Sequence, residues 1–135
     1  MDWFEETISE LGSSLATLEA VREEIRGEPS SEQMHEVWLS YVYIEKGIAF
    51  IKIELEEENP GRRIHLDRYR VPDERQALAF AVKNLRSGLE MAKRRDLLPS
   101  LKPLRESRNY LRALLREKEL RKRRTRSGSG GVTRP

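Results

Sequence analysis

Carboxylates and imidazoles at helical spacing are the first places to look for chemistry in this chain, and they are few. Glu32 and His35 form one Glu-x-x-His turn, which puts both side chains on the same face of a helix, as metal ligation in a bundle requires. A metal pair built this way needs a second such turn and further inward carboxylates. His35 and His65 are the only histidines, so there is no second copy. Glu54, Glu57 and Glu58 gather carboxylates on about one turn, a hard-oxygen set of the kind magnesium takes, but no matching acidic pair follows on a later helix. Arg62 and Arg63 stand too close to His65 to match the spacing of helical ribonuclease motifs. The absence of cysteine excludes thiolate nucleophiles, cysteine-ligated metals and disulfides. There is also no glycine-rich phosphate loop and no Ser/His/Asp set in a suggestive context. These signals predict a protein that is not an enzyme and holds no cofactor or metal, with its acidic clusters serving as solvated helix ends.

Charge is the chemistry present in quantity, and it is segregated. Residues 1–59 hold 4 Lys/Arg against 15 Asp/Glu, whereas residues 93–126 hold 14 against 4. The basic end culminates in Arg121, Lys122, Arg123, Arg124 and Arg126, a density at which cations repel one another unless an anion is near. Nucleic-acid phosphate is the commonest such anion, because neutralising it releases condensed counterions. A second basic patch, Arg62, Arg63, Arg68 and Arg70, encloses His65 and Tyr69, and an aromatic ring among cations suits stacking on an unpaired base. The competing reading of Arg105, Arg108, Arg112 and Arg116 is pairing with the acids of the first half.

The elements that position these groups are helices. Phe4, Ile8, Leu11, Leu15, Leu18 and Ile25 recur at threes and fours and predict a helix over 2–26, stopped by Gly27. Ser30 and Gln33 are spaced as a capping box, opening a helix over 31–58 on Met34, Val37, Tyr41, Ile44, Ile48, Ile51 and Leu55. Asn59-Pro60-Gly61 breaks it and begins a basic loop over 59–72. Asp73 as N-cap and Gln76 start a helix over 73–95 carrying Leu78, Val82, Leu85, Leu89 and Ala92, with Gly88 placed for the close approach of another helix. Ser100 is positioned to cap a fourth helix over 100–124, and Ser127 to Pro135 is too Gly/Ser-rich to offset its ordering entropy. The fold class is therefore all-α: a four-helix antiparallel bundle over residues 1–124 and a disordered basic tail over 125–135. Up-down-up-down is the simplest topology. At roughly 3.3 Å per residue the 59–72 loop is also long enough to cross the bundle.

Helix two carries more apolar surface than one bundle stripe. Leu39, Tyr43, Phe50 and Ile53 follow a second four-and-three spacing nearly opposite the first, and surplus apolar surface on a small domain marks an interface. The opening residues lack the pattern of a signal peptide and no apolar run approaches about 18 residues, which predicts a cytoplasmic protein with no membrane contact. Few Asn and Gln, many Glu and Arg and no Cys resemble the composition of heat-adapted proteins. Together these features predict a non-catalytic bundle that binds the backbone of DNA or RNA through its basic end, as a homodimer or as a subunit of a heteromeric complex. The alternative is a protein-protein adaptor that uses the second stripe of helix two and docks its tail on an acidic partner.

Overall fold

Four helices form where the periodicity places them, and three start on the caps their sequences supply. The computed structural model describes residues 2–55, 69 and 73–133, with side chains described as far as Leu120. Among the described residues there are four helices and no strand: α1 (Trp3–Glu24), α2 (Ser31–Glu54), α3 (Glu74–Lys93) and α4 (Leu97–Thr133). Asp2 accepts from the Glu5 N–H at 2.8 Å, and Glu5 and Glu6 sit against the positive end of α1. Ser30 and Gln33 close the expected capping box on α2, at 3.1 and 2.9 Å. Asp73 caps α3 through the Gln76 N–H at 2.7 Å. Gly27, at φ +70°, takes the left-handed conformation that glycine alone adopts without steric cost, and turns the chain from α1 into α2.

The core follows the apolar stripes, with one change. Leu11, Leu18 and Ile25 are buried as expected, and Val21 joins them while Arg22 stays at the surface. Met34, Val37, Ile44, Ile48 and Ile51 of α2 meet Leu78, Val82, Leu85 and Leu89 of α3 and Leu101, Leu104, Leu111 and Leu114 of α4 in a single cluster. Each such side chain contributes about 1.5–3 kcal/mol on burial. Two close approaches depend on small residues. Gly47 lies under Thr7 and Leu11, and a Cβ on Gly88 would stand 2.7 Å from Leu104 Cγ, so Gly88 does serve the close approach of α3 and α4.

Topology departs from the simplest expectation. α1 packs on α2 and α3, and α4 packs on α3 and α2, which places α2 and α3 on one diagonal. Arg95, just past α3, lies over Phe4 at the start of α1, while Pro29 and Met34 share a recess with Glu74, Leu114 and Lys118. α1 therefore runs up, α2 and α3 both down, and α4 up. Every packed pair is antiparallel, and the end of α2 and the start of α3 lie at opposite ends of the bundle.

The ends of α4 also differ from expectation. The helix begins at Leu97, not Ser100, and the buried Ser100 hydroxyl donates to the Leu97 carbonyl at 2.6 Å inside the first turn. The earlier start follows from the end of α3. Arg95, at φ +66°, lets Asp96 N–H bond Met91 O and Arg95 N–H bond Ala92 O, a Schellman closure usually made by glycine. At the other end the helical backbone runs to Thr133, past the expected end near 124 and through the stretch expected to be disordered. Propagation from a packed helix is inexpensive, although the propensities of Ser127 to Gly131 do not account for it. The expected extension of α2 to 58 lies outside the described residues.

Replacing Gly88 by alanine should lower stability by about 1–3 kcal/mol through overpacking against Leu104. Gly12, with open space where its Cβ would go, should instead gain about 0.5–1 kcal/mol as alanine. Paired thermal denaturation curves should show melting temperatures moving in opposite directions.

Candidate nucleic-acid interface

Arg105, Arg108, Arg112 and Arg116 share one face of α4 by their spacing. Arg108 is turned inward: Nη1 donates to Glu45 Oε1 of α2 at 3.1 Å, and Nε to Asn109 Oδ1 at 3.1 Å. Glu45 also accepts a long bond, 3.5 Å, from the Tyr41 hydroxyl. The buried Asn109 donates to the Tyr69 hydroxyl at 3.0 Å, and that hydroxyl donates to Glu106 at 3.2 Å. A continuous polar chain thus runs from α2 across α4 to Tyr69, on the segment that joins α2 to α3. Farther up, Lys118 donates to Glu28 Oε1 at 2.9 Å and to the Pro29 carbonyl at 3.2 Å. Pairing with the acidic half therefore accounts for Arg108 and Lys118. Arg112 and Arg116 are exposed and bond no carboxylate among the described residues.

Tyr69, the aromatic ring of the basic loop, is half-buried against the bundle. It meets Tyr110 edge to face at 5.2 Å, and Tyr110 stacks on Phe80 at 5.2 Å, so the ring holds Tyr69 to the α3–α4 groove. Arg62, Arg63, Arg68 and Arg70 lie outside the described residues, as do the side chains of Arg121, Lys122, Arg123, Arg124 and Arg126.

The second stripe of α2 divides. Leu39, Tyr43 and Ile53 are exposed, Ile53 at 70%. Phe50 is half-buried against Trp3 of α1 at 6.3 Å, with the Lys46 ammonium over its ring, and so helps attach α1 to α2. Trp38, 48% exposed, and Val42 join the open surface. A single four-and-three template beginning at Leu39 passes over them. The signal that finds them is the pair of apolar doublets, 38–39 and 42–43, whose members cannot all face one core. Of the large apolar residues exposed among the described positions, all but Phe80 and Leu98 are on α2.

The candidate metal turn faces outward. Glu32 and His35 are exposed, and the His35 ring stacks on Trp38 at 6.0 Å. Among the described residues no group of three or more His, Asp or Glu is placed to hold a metal, and no described helix is long and apolar enough to cross a membrane. Comparisons with protein-family models, curated proteins and solved structures each gave no match.

Two measurements probe the polar chain. Tyr69→Phe leaves the Asn109 amide without an acceptor and should cost about 1–2 kcal/mol, readable in urea denaturation. Burial, reinforced by Glu45, raises the Tyr41 hydroxyl above its ordinary value, with Arg112 and Arg108 opposing. Burial, with Glu106 and Tyr69 adding, does the same to Tyr110. A raised phenol pKa means that the unfolded chain ionises first, so stability should fall as pH rises past about 10. In alkaline denaturation Tyr41→Phe should flatten that fall.

Proposed function

We propose that this chain is a non-catalytic helical-bundle protein that holds the backbone of DNA or RNA through the end of α4, as a homo-oligomer or as a small subunit of a nucleoprotein complex. Arg121, Lys122, Arg123, Arg124 and Arg126 contact phosphates, and Arg62, Arg63, Arg68 and Arg70 form a second patch. The observation that carries this reading is the surplus of cations at the basic end, 14 Lys/Arg against 4 Asp/Glu in residues 93–126. Inside the bundle Arg108 and Lys118 have acidic partners on the first half of the chain, and five further cations, Arg121, Lys122, Arg123, Arg124 and Arg126, follow the last of those pairs along the sequence. Contacts of this kind position a ligand without reading its sequence.

A second reading, an adaptor for another protein, is favoured by the exposure of Leu39, Tyr43 and Ile53 on α2. In that reading the basic tail docks on an acidic partner surface.

The test is fluorescence anisotropy with labelled DNA and RNA over a series of salt concentrations, comparing the full chain with one lacking residues 119–135. Truncation should weaken binding and flatten the dependence of log K on log salt by about 0.9 for each phosphate that the tail neutralises. Equal binding by the two proteins would refute the tail's role.

A further inference from the structure

Trp38, Val42, Ala49 and Ile53 follow one another along α2 at intervals of four, seven and four, which lines them up on one narrow outward strip. All four are exposed. Two ion pairs border the middle of the strip. On the α1 side the Lys46 ammonium donates to Glu10 at 3.0 Å and to Glu6 at 3.4 Å. On the α4 side Glu45 is held by Arg108 at 3.1 Å. An apolar strip between satisfied ion pairs does not call for a partner of opposite charge, and it presents no row of like charges to repel a copy of itself.

We infer that this strip is the docking surface for a second copy of the chain, forming an antiparallel α2–α2 pair about a two-fold axis that passes between Glu45 and Lys46. The order of the side chains carries the argument. Reversed about that point, the strip brings Trp38 level with Ile53 of the second copy and Val42 level with Ala49, so the small side chain meets a branched one and the helices can close to about 8–10 Å. A two-fold contact must be self-complementary in this way, whereas a surface evolved for an unrelated partner has no reason to be. Phe50, committed to Trp3, takes no part, and Leu39 and Tyr43 lie along the border.

The pairing deepens the homo-oligomer part of the proposed function. Lys118 sits beside Glu28 and Pro29, ahead of the start of α2, so reversing α2 against α2 sends the two basic α4 ends to opposite ends of the dimer. Such a dimer can hold two separate stretches of nucleic acid at once, and its avidity exceeds that of either site.

The experiment uses the full chain without nucleic acid, so its outcome is separable from that of the tail truncation. Light scattering and sedimentation over a range of concentration should show a monomer–dimer equilibrium. Trp38→Glu combined with Val42→Glu should weaken that equilibrium by at least about tenfold, with unchanged helical circular dichroism. Because the chain has no cysteine, Val42→Cys and Ala49→Cys proteins can be mixed and oxidised, and they should cross-link to each other more than either does to itself. The inference is overturned by a chain that stays monomeric, by a dimer indifferent to the double change, by self-linking of Ala49→Cys as strong as the mixed product, or by this face binding only a different protein.

Discussion

A helix at the corner of a four-helix bundle can bury only the part of its circumference that two neighbours and one diagonal helix cover, and α2 carries apolar side chains beyond that part. Met34, Val37, Ile44, Ile48 and Ile51 fill the covered arc. Gly47 and Phe50 settle against α1, and Tyr41 and Glu45 settle towards α4. Trp38, Val42 and Ile53 remain outside. Among the described helices α2 alone carries this surplus along most of its length.

The same arrangement decides what the charge segregation can do. Because α4 packs beside α2, the basic and acidic halves of the chain touch along one groove, where Arg108 and Glu45 meet at 3.1 Å. Partly exposed pairs of this kind contribute modestly to stability, but this one is tied through Asn109 to Tyr69. It thereby links α2 and α4 to Tyr69, which precedes α3. Near α2 and the α1–α2 turn, the α4 cations Arg108 and Lys118 meet carboxylates of the acidic half. The strongest cation density of the chain falls beyond Lys118 in sequence.

Much of the fold was legible in local sequence because local physics determines it. Ser30 with Gln33 and Asp73 with Gln76 specify caps within a few residues, and the stripes of α2 and α3 identify their buried faces without reference to the rest of the chain. Topology was not legible in this way, since periodicity records which face is buried and not against which helix. The helix directions are fixed by contacts far apart in sequence, such as Arg95 on Phe4 and Lys118 on Glu28. The start of α4 was misplaced for a related reason: the αL position that closes α3 is filled by Arg95, without the glycine that usually announces it. Tyr69 read as a free ring among cations, because nothing local reveals that Asn109 and Tyr110 lie beneath it. On α2 a strict template found Leu39, Tyr43 and Ile53 but passed over Trp38 and Val42, one position out of step.

The most direct test of the surplus apolar face on α2 is hydroxyl-radical footprinting of the intact chain over a wide dilution series, read residue by residue. Trp38, Val42 and Ile53 should be heavily modified in dilute protein and protected on concentration, while Leu11 and Leu111 stay unmodified throughout. Protection of Trp38 and Ile53 at every dilution would mean that the chain covers this face itself, and the α2 surface would then be no interface at all.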